Sequence, residues 1–290
     1  MADKPAAVTG RPVAVTDRGG WYLAQGRPHP ALRPFLRSYD GYWETLAVPS
    51  RMRTLPTRTT VVILNLGPPL YLAVPDPGVR DRAYGSFVAG MHDGHGMYLS
   101  PGGQRGIQLD VTPLGAYSLL GVPMARLTNA AVELPDLLGS EARVLVERLA
   151  EAPSWAARFD LLDAFLLRRL DAGPAPDPEV ARAWRLLDGG AGVTVGDLAA
   201  DVGWSRKHLT HRFREQVGLP PKVMARVLRF RRAVELLAGG AAFADAAAAC
   251  GYYDQAHLNR EFRALSGCTP TELVGGQLEQ QRTTTLAEPA

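Results

Sequence analysis

The sequence predicts an α+β chain, in which an N-terminal β-barrel with two trailing helices precedes an all-α domain. Three observations carry this. Residues from about 11 to 125 hold short β-type runs punctuated by Gly and Pro, the pattern of a barrel or sandwich. Gly173-Pro174-Ala175-Pro176-Asp177-Pro178 places three prolines within five residues, which no helix continues through. Beyond it the strand signal vanishes and a repeated helical pattern takes over. A length of 290 residues suits two domains. They are read as a β-rich part at 1–172, a Pro-rich linker at 173–178, a helical domain at 179–277 and a flexible tail at 278–290.

Composition excludes several classes. With 46% hydrophobic and 21% charged residues the chain lies in the globular range, away from disordered, coiled-coil and collagen-like sequences. No run reaches the roughly 18 apolar residues of a membrane span. Met1-Ala2-Asp3-Lys4-Pro5 lacks an apolar signal core, so a cytoplasmic protein is expected. Cys250 and Cys268 are too few for a disulfide framework or a cysteine-only zinc site and are read as packing residues.

In the first half, β-type runs fall at 59–66, 71–74, 86–89 and 106–111. Trp21, Tyr22, Tyr39, Tyr42 and Trp43 supply aromatic side chains for the barrel core, or for a small molecule held inside it. Helical spacing begins after Pro135, at 141–150 and at 154–170 behind the N-cap Ser154. In the second of these helices Phe159, Leu162, Leu166 and Leu170 form one stripe, while Leu161, Phe165 and Leu167 lie off it. Such a helix needs a second buried side, and a homodimer contact would provide one. After the linker, helices are expected at 178–188, 195–202, 205–217, 221–238, 243–250, 254–265 and 270–276.

An internal repeat organises that half. His208-Leu209-Thr210-His211-Arg212-Phe213-Arg214 returns 49 residues later as His257-Leu258-Asn259-Arg260-Glu261-Phe262-Arg263, and Gly218 and Pro221 return as Gly267 and Pro270. Upstream, 197–203 pairs with 245–251 at an offset of 48, so the second copy has one added residue in its turn. Each copy reads as a short helix with a small residue at Ala199 or Ala247, a Gly four positions on, and a second helix burying Leu and Phe. That is a helix-turn-helix. Val223, Val227, Phe230, Val234 and Leu237 stripe the helix that joins the copies and fix their distance.

Charge is concentrated here. The whole chain carries +3, but residues 204–232 hold nine Lys and Arg against Glu215 alone, a balance of +8 in 29 residues. A solvated helix face would explain such a run by itself; on a helix-turn-helix it suits a polyanion.

These residues resemble the DNA-binding domain of the AraC/XylS transcriptional regulators. The similarity rests on Leu198-Ala199-Ala200-Asp201-Val202-Gly203-Trp204-Ser205, His208-Leu209, Arg212-Phe213-Arg214, Gly218-Leu219-Pro220-Pro221, Arg229-Phe230-Arg231-Arg232-Ala233 with Leu236-Leu237, and Gly251-Tyr252 through Phe262 to Gly267-Cys268-Thr269-Pro270. The resemblance implies a bacterial transcription factor whose helices 205–217 and 254–265 enter successive major-groove segments of promoter DNA. By the same resemblance Lys207, Thr210 and His211 face base edges, matched by Gln255, Ala256, Asn259 and Arg260 in the second copy. Arg206, Arg214 and Arg263 are placed for phosphates, and His208 and His257 for structure. The second motif opens on a nearly all-Ala helix and carries fewer cations, which predicts looser packing and a smaller share of the salt dependence. The first half resembles the family's cupin-like barrel sensor domains around Leu55-Pro56-Thr57 and Ile63-Leu64-Asn65-Leu66-Gly67. That implies a homodimer, control by a small-molecule effector or partner, and RNA polymerase as a further contact.

Catalytic motifs are missing: there is no phosphate-cradling Gly-Lys-Ser/Thr loop, no Gly-x-Ser-x-Gly elbow and no nucleophilic Cys context, so neither a catalytic residue nor a cofactor is assigned. The rival is a cupin-like metal-dependent enzyme fused to a DNA-binding domain. It would need a metal held by His92 and His95, three apart in His92-Asp93-Gly94-His95, with a carboxylate that the sequence does not place.

Overall fold

Alternation of aliphatic side chains decides the N-terminal half. In a computed structural model that describes residues 11–16, 19–44, 50–73, 82–190 and 192–275, the strands are β1 (Arg11–Thr16), β2 (Gly19–Gln25), β3 (Leu36–Glu44), β4 (Ser50–Thr54), β5 (Thr60–Asn65), β6 (Leu70–Ala73), β7 (Arg82–Tyr84), β8 (Phe87–Ala89), β9 (Gly96–Ser100), β10 (Arg105–Val111) and β11 (Ala131–Glu133). Leu109 stands opposite Val62 and Ile107 opposite Leu64 on the β5–β10 ladder, so these four share one face of the sheet. That face packs on the helices α1 (Pro113–Leu120), α3 (Ser140–Glu151) and α4 (Trp155–Ala172) through Leu119, Leu145, Leu149, Leu162 and Phe165; the short α2 (Leu134–Leu138) precedes α3. Ile63 and Phe87, on the other face, meet Leu70 and Tyr84.

The α+β class holds, but the expected barrel does not close. Seven strands form one antiparallel sheet in the order β1-β2-β3-β10-β5-β8-β11, and β4-β9-β6-β7 form a second. Closure needs a sheet to bury its inner face against itself. Here the aliphatic face of β5 and β10 is covered by helices. The edge strand β11 is only three residues long and runs directly into α2, where Pro135 has no N–H to offer a ladder. The cavity between sheet and helices is about 30 Å3, water-sized.

Two further expectations change. A helix, α1, stands inside the region read as β: Thr112 caps it by accepting from Gly115 N at 3.1 Å, Pro113 opens it, and Gly121 at φ +69° ends it. The second apolar side of α4 is also covered from within, because Phe165 is buried and Leu161 and Leu167 pack into the same core as the stripe. The outward positions are Ala156, Asp160, Ala164 and Arg168, which removes the uncovered face that argued for a homodimer through this helix. Stacked rings join α4 to the sheet: Tyr22 on Trp43 at 5.1 Å, Trp43 on Trp155 at 5.8 Å, and Phe159 on Tyr39 at 5.1 Å between centroids. Tyr42 is buried as well; the side chain of Trp21 and the tail 278–290 lie outside the described residues.

The C-terminal half is helical throughout: α5 (Pro178–Gly189), α6 (Val195–Asp201), α7 (Arg206–Val217), α8 (Pro221–Ala238), α9 (Phe243–Ala249) and α10 (Gln255–Ser266), then a helical turn at 270–275. The expected stripe of α8 is present but serves two cores. Val227 and Met224 pack with Leu209 and Phe213, whereas Phe230, Val234 and Leu237 pack with Leu258 and Phe262.

The Pro-rich segment is pinned rather than free. Ser118 Oγ donates to Pro174 O at 2.9 Å, and a Cβ on Gly173 would lie 1.9 Å from Ser118 O. The β-rich part also touches both repeats. Thr128 Oγ1 donates to Gly218 O at 2.7 Å, Arg53 Nη1 donates to Ser266 O at 2.7 Å, and the His95 ring lies 2.5 Å from where a Cβ on Gly267 would sit. Met91 enters the first helical core and Leu55 packs on the second.

Gly41 on β3 is the close approach that lets α4 seat: a Cβ there would meet the Trp155 ring at 2.2 Å. Gly41→Ala should lower stability by about 1–3 kcal/mol, the cost of overpacking a tight core. It should show as a lower urea midpoint by tryptophan fluorescence, and an unchanged midpoint would mean that α4 is not seated on β3 as described.

Candidate nucleic-acid interface

Each repeat is built by the same local physics. Thr194 caps α6 with a reciprocal capping box, its hydroxyl accepting from Asp197 N at 3.2 Å while Asp197 Oδ2 accepts from Thr194 N at 3.0 Å. The turn then closes as Gly203 N donates to Ala200 O at 3.3 Å and Trp204 N to Ala199 O at 3.0 Å, with Gly203 at φ +71°. The second copy repeats it: Gly251 N donates to Ala248 O at 3.1 Å and Tyr252 N to Ala247 O at 2.9 Å, with Gly251 at φ +72°. Ser205 caps α7 and Asp254 caps α10, accepting from His208 N at 3.2 Å and His257 N at 2.6 Å. Edge-on contacts of Trp204 with His208 and Tyr252 with His257, at 4.4 and 5.2 Å, occupy both His rings in the turns.

Burial orients the two second helices. Leu209 and Phe213 in α7, and Leu258 and Phe262 in α10, are fully buried. Their opposite faces are therefore outward: Arg206, Lys207, His211 and Arg214 are exposed and Thr210 half-exposed, matched by exposed Gln255, Ala256, Arg260 and Arg263 with half-exposed Asn259. Thr210 Oγ1 donates to Arg206 O at 2.8 Å, so its hydroxyl proton is already used within the helix. The small alanines of α9 leave room that aromatic rings fill: Phe230 and Phe262 meet at 4.9 Å beside Ala246, Ala247 and Tyr252, so this half is not visibly looser.

The basic block divides into structural and outward charges. Arg212 pairs with Asp177 at 2.7 Å and Glu215 at 2.6 Å, tying α7 to the start of α5. Arg226 and Arg229 of α8 both hold Glu261 of α10, at 3.0 and 2.7 Å, a cross-brace between the joining helix and the second repeat. These three arginines were counted among the +8, yet they work inside the fold. The sequence could not separate them, because the partners that tie them into the fold, Asp177 and Glu261, lie 32 to 35 residues away. Sequence reasoning also passed over Tyr253. It is 93% exposed at the entrance to α10, and it is the added residue that changes the repeat offset from 48 to 49, which was the available signal.

His92 and His95 are engaged by different neighbours. His92 is largely buried, with Nδ1 on Gly90 O at 2.5 Å, and burial holds its pKa down; His95 packs on Gly267. Among the described residues no three His, Cys, Asp or Glu side chains converge as metal ligands.

Residues 180–275 match the helix-turn-helix domain family. They form an AraC-type helix-turn-helix domain. The chain is 34% identical over 91 residues to YbfI, an uncharacterized HTH-type transcriptional regulator of Bacillus subtilis (strain 168), a match spanning 31% of this chain and 33% of that protein. The aligned part is thus about a third of the relative's length. Among solved structures, the C-terminal domain of AraT, a response regulator from Geobacillus stearothermophilus, matches with 20% identity over 38% of this chain and 88% of its own, at a TM-score of 0.33. ToxT from Vibrio cholerae matches with 11% identity over 78% of this chain and 97% of its own, at a TM-score of 0.45. No helix among the described residues is long and apolar enough to cross a membrane.

The Asp177–Arg212 pair anchors the AraC-type domain at its first helix, and the Arg212 guanidinium holds the Asp177 carboxyl below the usual carboxylate range. A depressed carboxyl pKa contributes stability that is present above about pH 4, the unfolded value, and lost as pH falls through the folded value. Asp177→Asn should therefore lower the thermal midpoint at neutral pH and flatten its fall below about pH 4. An acid limb as steep as the wild type's would show that the pair does not carry this dependence.

Proposed function

We propose that the chain is a sequence-specific DNA-binding transcriptional regulator, with α7 and α10 as its two recognition helices and the β-rich part (1–172) controlling the helical domain (179–277). The carrying observation is that two copies of one motif turn their polar faces outward from a shared joining helix. At 18 residues α8 is about 27 Å long, close to the roughly 34 Å turn that separates successive major-groove segments on one face of DNA. Lys207 and His211 on α7, with Gln255, Asn259 and Arg260 on α10, are the residues assigned to base edges; Thr210 and Ala256 offer methyl groups for thymine. Arg206 lies across the start of α6, its guanidinium 2.7 Å from a Cβ position on Gly196, and takes a phosphate there with Arg214; Arg263 does so for the second repeat.

Control follows from the contacts of the β-rich part with the carbonyls of Gly218 and Ser266, at the C-terminal ends of both recognition helices. An effector or partner that moves the 91–95 loop or the 124–128 turn changes how the repeats are held, and RNA polymerase is the further partner such a regulator serves.

Selection of bound duplexes from a random pool, followed by sequencing, tests the function directly. A two-part site with half-sites about ten base pairs apart is expected, and recovery of unrelated sequences would refute it. Lys207→Ala should cost on the order of 1–3 kcal/mol at one base pair while sparing the others; equal weakening on all sequences would move Lys207 to the phosphate class. Thr128→Val combined with Arg53→Gln should split thermal unfolding of the full chain into two transitions, whereas a single transition at the original midpoint would show that these contacts do not couple the halves.

A further inference from the structure

Between the two repeats, the exposed side of α8 floors a groove of about 1210 Å3. Six basic side chains and three acids line it, a balance of 6 − 3 = +3. One wall is the end of α5 at Leu187 to Gly190, with Arg58 of the β-rich part, and the start of α6 at Thr194 and Val195; the other is the α9–α10 turn at Ala249 to Gly251. Each wall includes an end that leads toward an outward helix. Gly196 at the start of α6 lies against Arg206, the first residue of α7, and Gly251 stands four residues before Gln255, the first of α10. The groove thus lies beside the segments that lead into the two recognition helices, with Glu261 the α10 residue on its lining.

On the floor, Arg226 and Arg229 are committed to Glu261. Lys222 and Arg232 are exposed, and among the described residues neither has a hydrogen bond or an ion pair. Arg231, also on this lining, is half-buried, and burial holds its pKa down; the two exposed unpaired cations beside the paired ones are Lys222 and Arg232, kept at a cost in mutual repulsion.

We propose that this groove is a third DNA contact, in which Lys222 and Arg232 of α8 hold the sugar-phosphate backbone beside the minor groove that separates the two major-groove segments. It rests on the DNA-binding function above and adds a contact outside both helix-turn-helix motifs. When two helices enter successive major-groove segments on one face, the minor groove between them must face whatever joins the helices. Here that is α8, and the two phosphate strands bordering this minor groove lie toward its unpaired cations. The contact is sequence-independent: it sets register and adds counterion release, and it reads no base.

The test uses the full chain and a duplex recovered by the selection described above. Lys222→Gln with Arg232→Gln should weaken binding on the order of tenfold at moderate salt and reduce the log–log salt slope by about 2, with the preferred sequence unchanged. A duplex whose central spacer phosphates are replaced by neutral methylphosphonates should weaken wild-type binding by a similar factor and leave the double variant almost unaffected. Circular dichroism and the thermal midpoint of the variant should match the wild type, since neither side chain is buried. Unchanged affinity and slope in the variant, or equal sensitivity of both proteins to the neutral spacer, would overturn the α8 contact while leaving the regulator function standing. Wild-type protein that binds no duplex at all would overturn both.

Discussion

The arrangement of the outward faces depends on one shared constraint, the burial of α8 in two cores at once. Met224 and Val227 are fully buried against the first repeat, and Phe230, Ala233, Val234 and Leu237 are buried against the second. A helix is stiff along its hydrogen-bonded axis, so side chains locked at both ends fix the separation and relative rotation of whatever packs on them. Rotating one repeat would have to unseat either Val227 or Phe230, and removing a large buried side chain from its site costs about 2–5 kcal/mol. Neither motif alone has such a core, because α6 and α9 are only seven residues long.

Electrostatics then refines what packing has placed. The Glu261 carboxylate is shared between Arg226 and Arg229, and its side chain is only 10% exposed, so this brace is less screened than a surface pair. It ties α10 to α8 on the side away from its outward cations. Arg212 does the corresponding work in the first repeat through Asp177 and Glu215. With these three arginines neutralised locally, the outward positive field comes from Arg206, Lys207 and Arg214 on α7, Arg260 and Arg263 on α10, and Lys222 and Arg232 on α8. A basic sequence block is thus two populations, one cementing the domain and one facing out.

The β-rich part is fastened to the same frame at equivalent points of the repeat. Gly218 and Gly267, 49 residues apart, each end the second helix of a repeat with positive φ, at +105° and +70°, and both lie against the β-rich part. Met91 reaches past Gly218 into the first core, while His95 covers Gly267 and Arg53 holds the adjacent carbonyl of Ser266. With His95 already desolvated and beside Arg53, its charged form is disfavoured at this junction. Such a bridge between otherwise parallel motifs is a natural place for movement in one half to be felt in the other.

What the sequence determined by itself was whatever local chemistry decides. The repeat, the N-cap Ser154, the turn glycines Gly203 and Gly251, and the bounds of α8 at 221 and 238 could all be read, because caps, positive-φ turns and apolar periodicity are written within a few residues of where they act. The helix α1 carried the same signals in Thr112-Pro113 and Gly121, but among strands these read as loop punctuation. Only the tertiary structure decided matters of partnership: that Arg212, Arg226 and Arg229 face inward, that Leu161 and Leu167 of α4 find cover in their own core, and that the strands divide into two sheets. Each depends on residues far apart in sequence, and a period of two or of 3.6 says which side of an element is apolar without saying what will cover it.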